Sequence, residues 1–456
     1  MKYHRFLSIS MTIGMLSGCI LDSGSNKDAQ VIDDDNNVQY AQCSVVDANK
    51  QLFEYLQSDY FWYQDLPSNF SPEAHGSIDE ALTSVRNTID NDRFSFSMTK
   101  DQYADYQASV FFGYGFSQMA TETKDGLLIR YVFNEGSAAQ NGLRRGDIIR
   151  EINDVSAAKI LEDVDAGTTT FNEVFGPNED GYSIKVKFEK PDGTTETAQF
   201  SKARITANTV LASQVMTHEL NGEAKKVGYL VFNSFDERST NELNTAFHEF
   251  ATEDVQELIL DLRYNSGGLI RVAQQLTTQL AGNNVLGQTF VNYVHNNKQG
   301  QNNRSLLFDL GDGSFQLHLD RVVVLTSGST CSASEMVINA LTPFVDVVTI
   351  GNTTCGKPVG MYPQPICDDV VFAINFQTQN AVGFGDYFDG IAVDCPVDEV
   401  IVGDWGVSGD KLYEEGLYYL EHGKCSPVAK SRSINSKSHR TKIDFSNGIW
   451  RDKDLL

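Results

Sequence analysis

Four short apolar runs constrain the fold most: residues 227–232, 258–262, 322–325 and 347–350. Each has the length and composition of a buried strand. Helical patterns lie between some of them, over residues 240–250 and 269–280. Strands alternating with helices favour βαβ units and a largely parallel sheet. Hydrophobic residues make up 41% of the chain and aromatics 11%, enough for packed cores and against global disorder. A chain of 456 residues is long enough for two or three domains. No internal repeat is visible.

Two residues just past these runs carry chemistry. Ser332 lies in Gly328-Ser329-Thr330-Cys331-Ser332-Ala333-Ser334-Glu335, after one apolar run and before a helix-like stretch at 333–341. A serine at such a turn is held out of the sheet beside helix amides, which stabilise an oxyanion. The same residues form a Ser-x-x-Glu capping box, and capping alone is the competing explanation. Ser329 and Ser334 are rival nucleophiles, although Ser334 falls inside the first turn and should point elsewhere.

Lys357 lies in Gly351-Asn352-Thr353-Thr354-Cys355-Gly356-Lys357-Pro358, directly after the next run. There it could reach Ser332 and take its proton; the competing reading is an exposed loop lysine. The proline that follows biases it toward an extended backbone. A lysine that ordinarily titrates near about 10.4 must be lowered by roughly two to three pH units to act as a base near neutrality, and burial works in that direction. Serine with lysine is the minimum kit for serine acyl transfer without histidine. In Asp261-Leu262-Arg263-Tyr264-Asn265-Ser266-Gly267-Gly268, Gly267 and Gly268 are candidate oxyanion donors, with the Ala333 amide as the second. A plain strand-to-helix turn is the alternative.

These motifs resemble the catalytic region of the C-terminal processing peptidases, or tail-specific proteases. The nucleophile there sits in Ser-Ala-Ser-Glu and the base in Thr-x-Gly-Lys, in the order and spacing seen here. The resemblance covers roughly residues 45–425. It implies a multidomain α+β / α/β chain: a helical N-terminal domain at 43–105, a PDZ domain at 106–202 and a peptidase core at 203–423. The core would be a spiral of ββα units like the crotonase and Clp peptidases. Gly113-Tyr114-Gly115-Phe116 would be the carboxylate-binding loop, where converging amides hold a peptide terminus while the peptide adds a strand to the sheet edge. Gly136-Ser137-Ala138-Ala139-Gln140 and Gly142-Leu143-Arg144-Arg145-Gly146-Asp147 also fit the PDZ pattern. One departure stands out: a glutamine often lies four residues after the family's lysine, and here that position is Met361, with Gln364 off register. A related branch uses a histidine, yet His218, His248 and His318 lie in no matching motif.

The resemblance implies a serine endopeptidase acting on C-terminal or unfolded polypeptide segments, without a cofactor. The alternative is a peptide-binding lipoprotein of the same fold that has lost turnover at Met361.

The N-terminus reads as a targeting segment at 1–18. Lys2 and Arg5 precede a short apolar stretch at 6–16, too short to span a bilayer. Leu16-Ser17-Gly18-Cys19 reads as a bacterial lipobox, which would leave Cys19 lipidated on a polar tether at 19–42. An ordinary secretory signal is the competing reading. Ile20, rather than aspartate, after Cys19 favours the outer membrane by resemblance to Gram-negative lipoproteins, with the body in the periplasm.

Net charge is −25; residues from Lys424 hold 8 basic and 3 acidic side chains, leaving 28 against 58 in residues 1–423. An acidic body argues against nucleic acid as a partner. The tail at 424–456 reads as basic and disordered. Beyond Cys19, the cysteines are Cys43, Cys331, Cys355, Cys367, Cys395 and Cys425. An even count in an exported chain suggests disulfides, whose connectivity sequence cannot choose. Cys331 is the doubtful member, because a bridge beside Ser332 would constrain the oxyanion turn. No cysteine and histidine spacing makes a convincing metal site.

Overall fold

The computed structural model describes residues 43–427, and separately the backbone of an antiparallel hairpin with strands Gln30–Ile32 and Val38–Tyr40. The expected signal segment, Cys19 and the tail beyond residue 427 lie outside the described residues. Among the described residues, no helix is long and apolar enough to cross a membrane.

The four apolar runs lie in the inner strands of a six-stranded sheet. Its order is Val210–Leu220, Glu223–Phe232, Glu257–Asp261, Arg321–Thr326, Asp346–Gly351 and Cys395–Pro396. The first pair is antiparallel and every later pair parallel. Successive side chains point to opposite faces. Leu258, Leu260, Val322 and Val324 pack with helices Ser239–Thr252, Ile270–Ala281 and Ala333–Leu341. Ile259, Val323, Leu325 and Ile350 pack with Trp405 and with Leu412 and Leu420 of helix Lys411–His422. Burial on both faces explains why these strands are apolar without alternation. Each such side chain contributes roughly 1.5–3 kcal/mol by leaving water.

Past Asp346–Gly351 the chain runs without regular structure to Val359–Met361. That strand edges a second sheet, ordered Arg304–Leu307, Thr289–His295, Ile374–Gln379 and Val359–Met361. Lys357 sits on the irregular segment between the two sheets.

Helices Val45–Asp59 and Ile78–Arg86 put Leu52, Leu56, Leu82 and Val85 into one cluster with Ile366, Val371 and Ile374. The expected mostly helical segment 43–105 also contains strand Phe96–Thr99, which pairs with Asp369–Phe372 from the distant C-terminal third. Helix Lys100–Gln107 runs through the expected boundary at 105.

Residues after this helix build an antiparallel sheet ordered Thr195–Ser201, Ser183–Glu189, Ile148–Ile152, Leu127–Val132 and Phe116–Ala120. Phe116, Ile129, Ile149, Val186, Phe188 and Phe200 fill its core. Tyr114 and Gly115 turn the chain from strand Val110–Gly113 into Phe116–Ala120, the last strand in that order. Tyr114 and Phe116 are fully buried, and the Tyr114 hydroxyl donates to the Phe175 carbonyl at 2.7 Å. Gly115 has φ +90°, and a Cβ there would lie 2.6 Å from Gly136 Cα.

Candidate active site

Ser332 is the residue before helix Ala333–Leu341 and has φ 55°. Positive φ is uncommon for a residue with a side chain, and it costs of order 1–3 kcal/mol unless the surroundings enforce it. Hydrogen bonds on both sides of Ser332 enforce it. The Cys331 amide donates to the Asn265 carbonyl at 3.1 Å, and the Ser334 hydroxyl donates to the same carbonyl at 2.9 Å. The Thr330 hydroxyl donates to the Leu262 carbonyl at 2.9 Å, and the Ser327 hydroxyl donates to that of Arg263. The serine turn is thus stitched to the Asp261–Gly268 motif from both sides. Ser334 is fully buried and committed to Asn265, so its hydroxyl faces away, as its place in the first turn implies.

Glu335 is the centre of the arrangement. It is fully buried, and one carboxylate oxygen accepts from the Ser332 amide at 2.9 Å and the Lys357 amide at 2.8 Å. The other accepts from the Gly356 amide at 2.7 Å and the Thr354 hydroxyl at 2.5 Å. Burial pushes this carboxyl above its ordinary value, opposed by the Thr354 hydroxyl and the Lys357, Gly356 and Ser332 amides. The capping box therefore does more than cap: the same glutamate holds the lysine segment against the serine turn. Sequence reading assigned Glu335 only to the cap. The available signal was a lone charged residue in a mostly apolar helix.

Cys331 and Cys355 form a disulfide, with Cα atoms 5.2 Å apart. The doubt about Cys331 is corrected here: the bridge lies beside Ser332, and the turn accommodates it. Cys395 and Cys425 form another, and Cys43 and Cys367 are each disulfide-bonded. Among the described residues, the two places where cysteine and glutamate ligand atoms converge are Cys331, Glu335, Cys355 and Cys395, Glu415, Cys425. Both cysteine pairs are already consumed by disulfides.

The Lys357 ammonium lies 5.3 Å from the centroid of the buried Phe94 ring. Met361 packs on the same apolar cluster as Phe94. Gln364 donates to the Pro365 carbonyl within its own strand. Arg93 braces the lysine segment, donating to the Cys355 carbonyl at 2.6 Å and the Phe388 carbonyl at 2.9 Å.

Of the candidate oxyanion donors, the Gly267 amide already donates to the Asn265 side-chain oxygen at 2.9 Å. Among the described residues, the Gly268 and Ala333 amides have no recorded acceptor. Gly267 has φ 105°, and a Cβ there would lie 2.8 Å from Ser332 Cβ and 3.0 Å from the Ala333 nitrogen. Only glycine permits this approach.

His218, His318 and His248 meet groups other than Ser332. His218 meets the Tyr413 hydroxyl at 3.2 Å, and His318 accepts from the Asn283 amide at 3.0 Å. His248 packs its ring on Phe315.

Behind the glycines lies a buried charge network. Arg263 pairs with Asp261 at 2.7 Å, Glu399 at 3.0 Å and Asp410 at 3.1 Å. Arg145, from the antiparallel-sheet region, reaches Glu399 at 3.1 Å and the Tyr264 hydroxyl at 3.2 Å. Burial alone would raise the Glu399 carboxyl, but Arg263 and Arg145 hold it below its ordinary value.

Residues 226–394 match peptidase family S41, and residues 47–96 match the peptidase S41 N-terminal domain. These two segments are thus similar to peptidase family S41. The chain is also similar to carboxyl-terminal-processing peptidases. It is 27% identical over 244 residues to carboxyl-terminal-processing peptidase 3, chloroplastic, of Arabidopsis thaliana, covering 52% of this chain and 44% of that one. To the carboxy-terminal processing protease CtpB of Bacillus subtilis it is 24% identical over 296 residues, covering 64% and 56%. The chain spans about half the length of these curated relatives. Among solved structures, one titled as an S41 protease from Bacteroides fragilis is 26% identical with a TM-score of 0.65, covering 81% of this chain and 96% of that one.

Proposed function

We propose that the chain is a serine endopeptidase of the C-terminal processing type, with Ser332 as nucleophile and Lys357 as general base. The observation that carries this reading is the Glu335 carboxylate, which bonds the Ser332 and Lys357 amides with one oxygen. It sets the two segments side by side. The Ser332 hydroxyl attacks the scissile carbonyl while the Lys357 amine takes its proton. The oxyanion rests on the Gly268 and Ala333 amides; the bond of the Gly267 amide to the Asn265 side chain supports those two over Gly267. Lys357 then protonates the departing amine, and water releases the acyl group by the same route in reverse.

Residues 106–202 would act as a PDZ domain, with the backbone around Gly113, Tyr114, Gly115 and Phe116 receiving a peptide terminus. The position of Phe116–Ala120 at the end of the strand order supports strand addition there. Substrates would be C-terminal or unfolded polypeptide segments. Cys19 would carry a lipid that holds the enzyme on the bacterial outer membrane, facing the periplasm. A Cys19→Ala protein should lose membrane association; retention of its processed form on membranes would remove the lipid anchor.

The deciding test is labelling with a fluorophosphonate, which phosphonylates an activated serine with loss of fluoride. Mass spectrometry should place the adduct on Ser332, and the labelled protein should lose peptide cleavage. An active parent labelled elsewhere, or an active Ser332→Ala protein, would remove Ser332 from this role.

A further inference from the structure

We propose that the Cys331–Cys355 disulfide is a positioning element for catalysis, so that turnover depends on its oxidation. The inference rests on the reading of Ser332 and Lys357 as nucleophile and base. Cys331 directly precedes Ser332, and Cys355 lies two residues before Lys357. The bridge therefore joins the two catalytic segments themselves and leaves one residue of backbone between it and the base.

The two segments differ in how they are held. The serine turn is anchored to the Asp261–Gly268 motif and opens a helix in which every residue is buried. Residues 353–358, carrying the lysine, have no regular structure. They are held by polar bonds: the Cys355 amide to the Thr330 carbonyl at 3.0 Å, Thr354 to Ile391 at 3.2 Å, and the three donors to Glu335. Each such bond contributes about 0.5–1.5 kcal/mol net, or up to about 3 kcal/mol to a charged group. Those bonds can keep the segment folded. Holding a base to within about 0.5 Å of a productive position is a stricter demand. A covalent bridge across this junction meets it.

The redox step is simple. A dithiol reductant attacks the Cys355 sulfur, the more exposed of the two; Cys331 is only 2% exposed. Cys331 leaves as a thiolate and takes a proton. The second thiol of the reagent then displaces Cys355 and closes the reagent's own disulfide, so two electrons and two protons reach the protein. The chain would then be poorly active in a reducing compartment and become active after export into an oxidising one.

The test compares the full-length parent with Cys331→Ala/Cys355→Ala and Cys395→Ala/Cys425→Ala proteins on one fluorogenic peptide. The first double variant should stay folded by circular dichroism, with kcat lowered about tenfold or more and KM within about twofold, as expected for a misplaced catalytic group. Its fluorophosphonate labelling should slow in parallel. Dithiothreitol should bring the parent to the same level, reversibly on reoxidation, and leave that variant unchanged. The Cys395→Ala/Cys425→Ala protein should keep parental kcat and remain sensitive to dithiothreitol. Should the Cys331→Ala/Cys355→Ala protein not fold, the parent decides alone: activity must fall in step with reduction of the Cys331–Cys355 pair, followed by mass spectrometry of alkylated peptides. Parental kcat in that double variant, or in parent reduced at that pair, overturns the inference. Failure of Ser332 to label in an active parent overturns the underlying reading instead.

Discussion

At the scale of single residues, the site depends on backbone conformations and contacts that a conservative change disrupts. Gly267 is the sharpest case, because its φ of 105° and the 2.8 Å approach to Ser332 Cβ leave no room for a methyl group. Gly267→Ala should lower stability by about 1–3 kcal/mol, read by urea denaturation. It should also abolish fluorophosphonate labelling, because the methyl group displaces Ser332; parental labelling would show that the approach is looser. Lys357→Arg keeps the charge but not the chemistry. A guanidinium stays protonated at any working pH and cannot take the serine proton, so peptide turnover should vanish while the fold persists. Parental cleavage by this variant would end the lysine-base assignment.

At the scale of elements, helix Ala333–Leu341 is the platform. All nine of its residues are buried, and its first turn is tied to the strand-end motif by Asn265. The helix therefore does not depend on the Ser332 hydroxyl. Ser332→Ala should cost no more than about 1 kcal/mol in thermal or urea unfolding, the usual value of an N-cap, yet abolish peptide cleavage. A much larger loss of stability would mean that the hydroxyl is chiefly structural. The helix and both flanking strands were legible in sequence because apolar runs, helical periodicity and a Ser-x-x-Glu start are local signals. The use of Glu335 was not, since three of the donors to its carboxylate, Thr354, Gly356 and Lys357, come from beyond the next strand.

At the scale of the whole molecule, Arg145 brings the antiparallel-sheet region onto the network behind Gly267. Glu399 is shared by Arg145 and Arg263, and its carboxyl is held below its ordinary value of 4.5. A depressed carboxyl stabilises the fold fully above its unfolded pKa. That contribution fades as pH falls through the lower, folded value. The parent's resistance to urea should weaken as pH falls below about 4.5. Glu399→Gln should be less stable at neutral pH and show a shallower acid dependence. An identical slope in both proteins would show that the network titrates elsewhere.

Local patterns in the chain determined the strands, the helices, the even cysteine count and the motifs that bear Ser332, Lys357 and Gly267–Gly268. They did so because burial period, turn chemistry and capping act over a few residues. Only tertiary structure decided which cysteine meets which, that Phe96–Thr99 pairs with Asp369–Phe372, and that Asn265 occupies the Gly267 amide. Each of these joins positions whose relation is set by the packing of intervening elements, and no local signal records it. The junction of serine and lysine segments belongs to the same class: its residues are written in sequence, and the sheet brings them together.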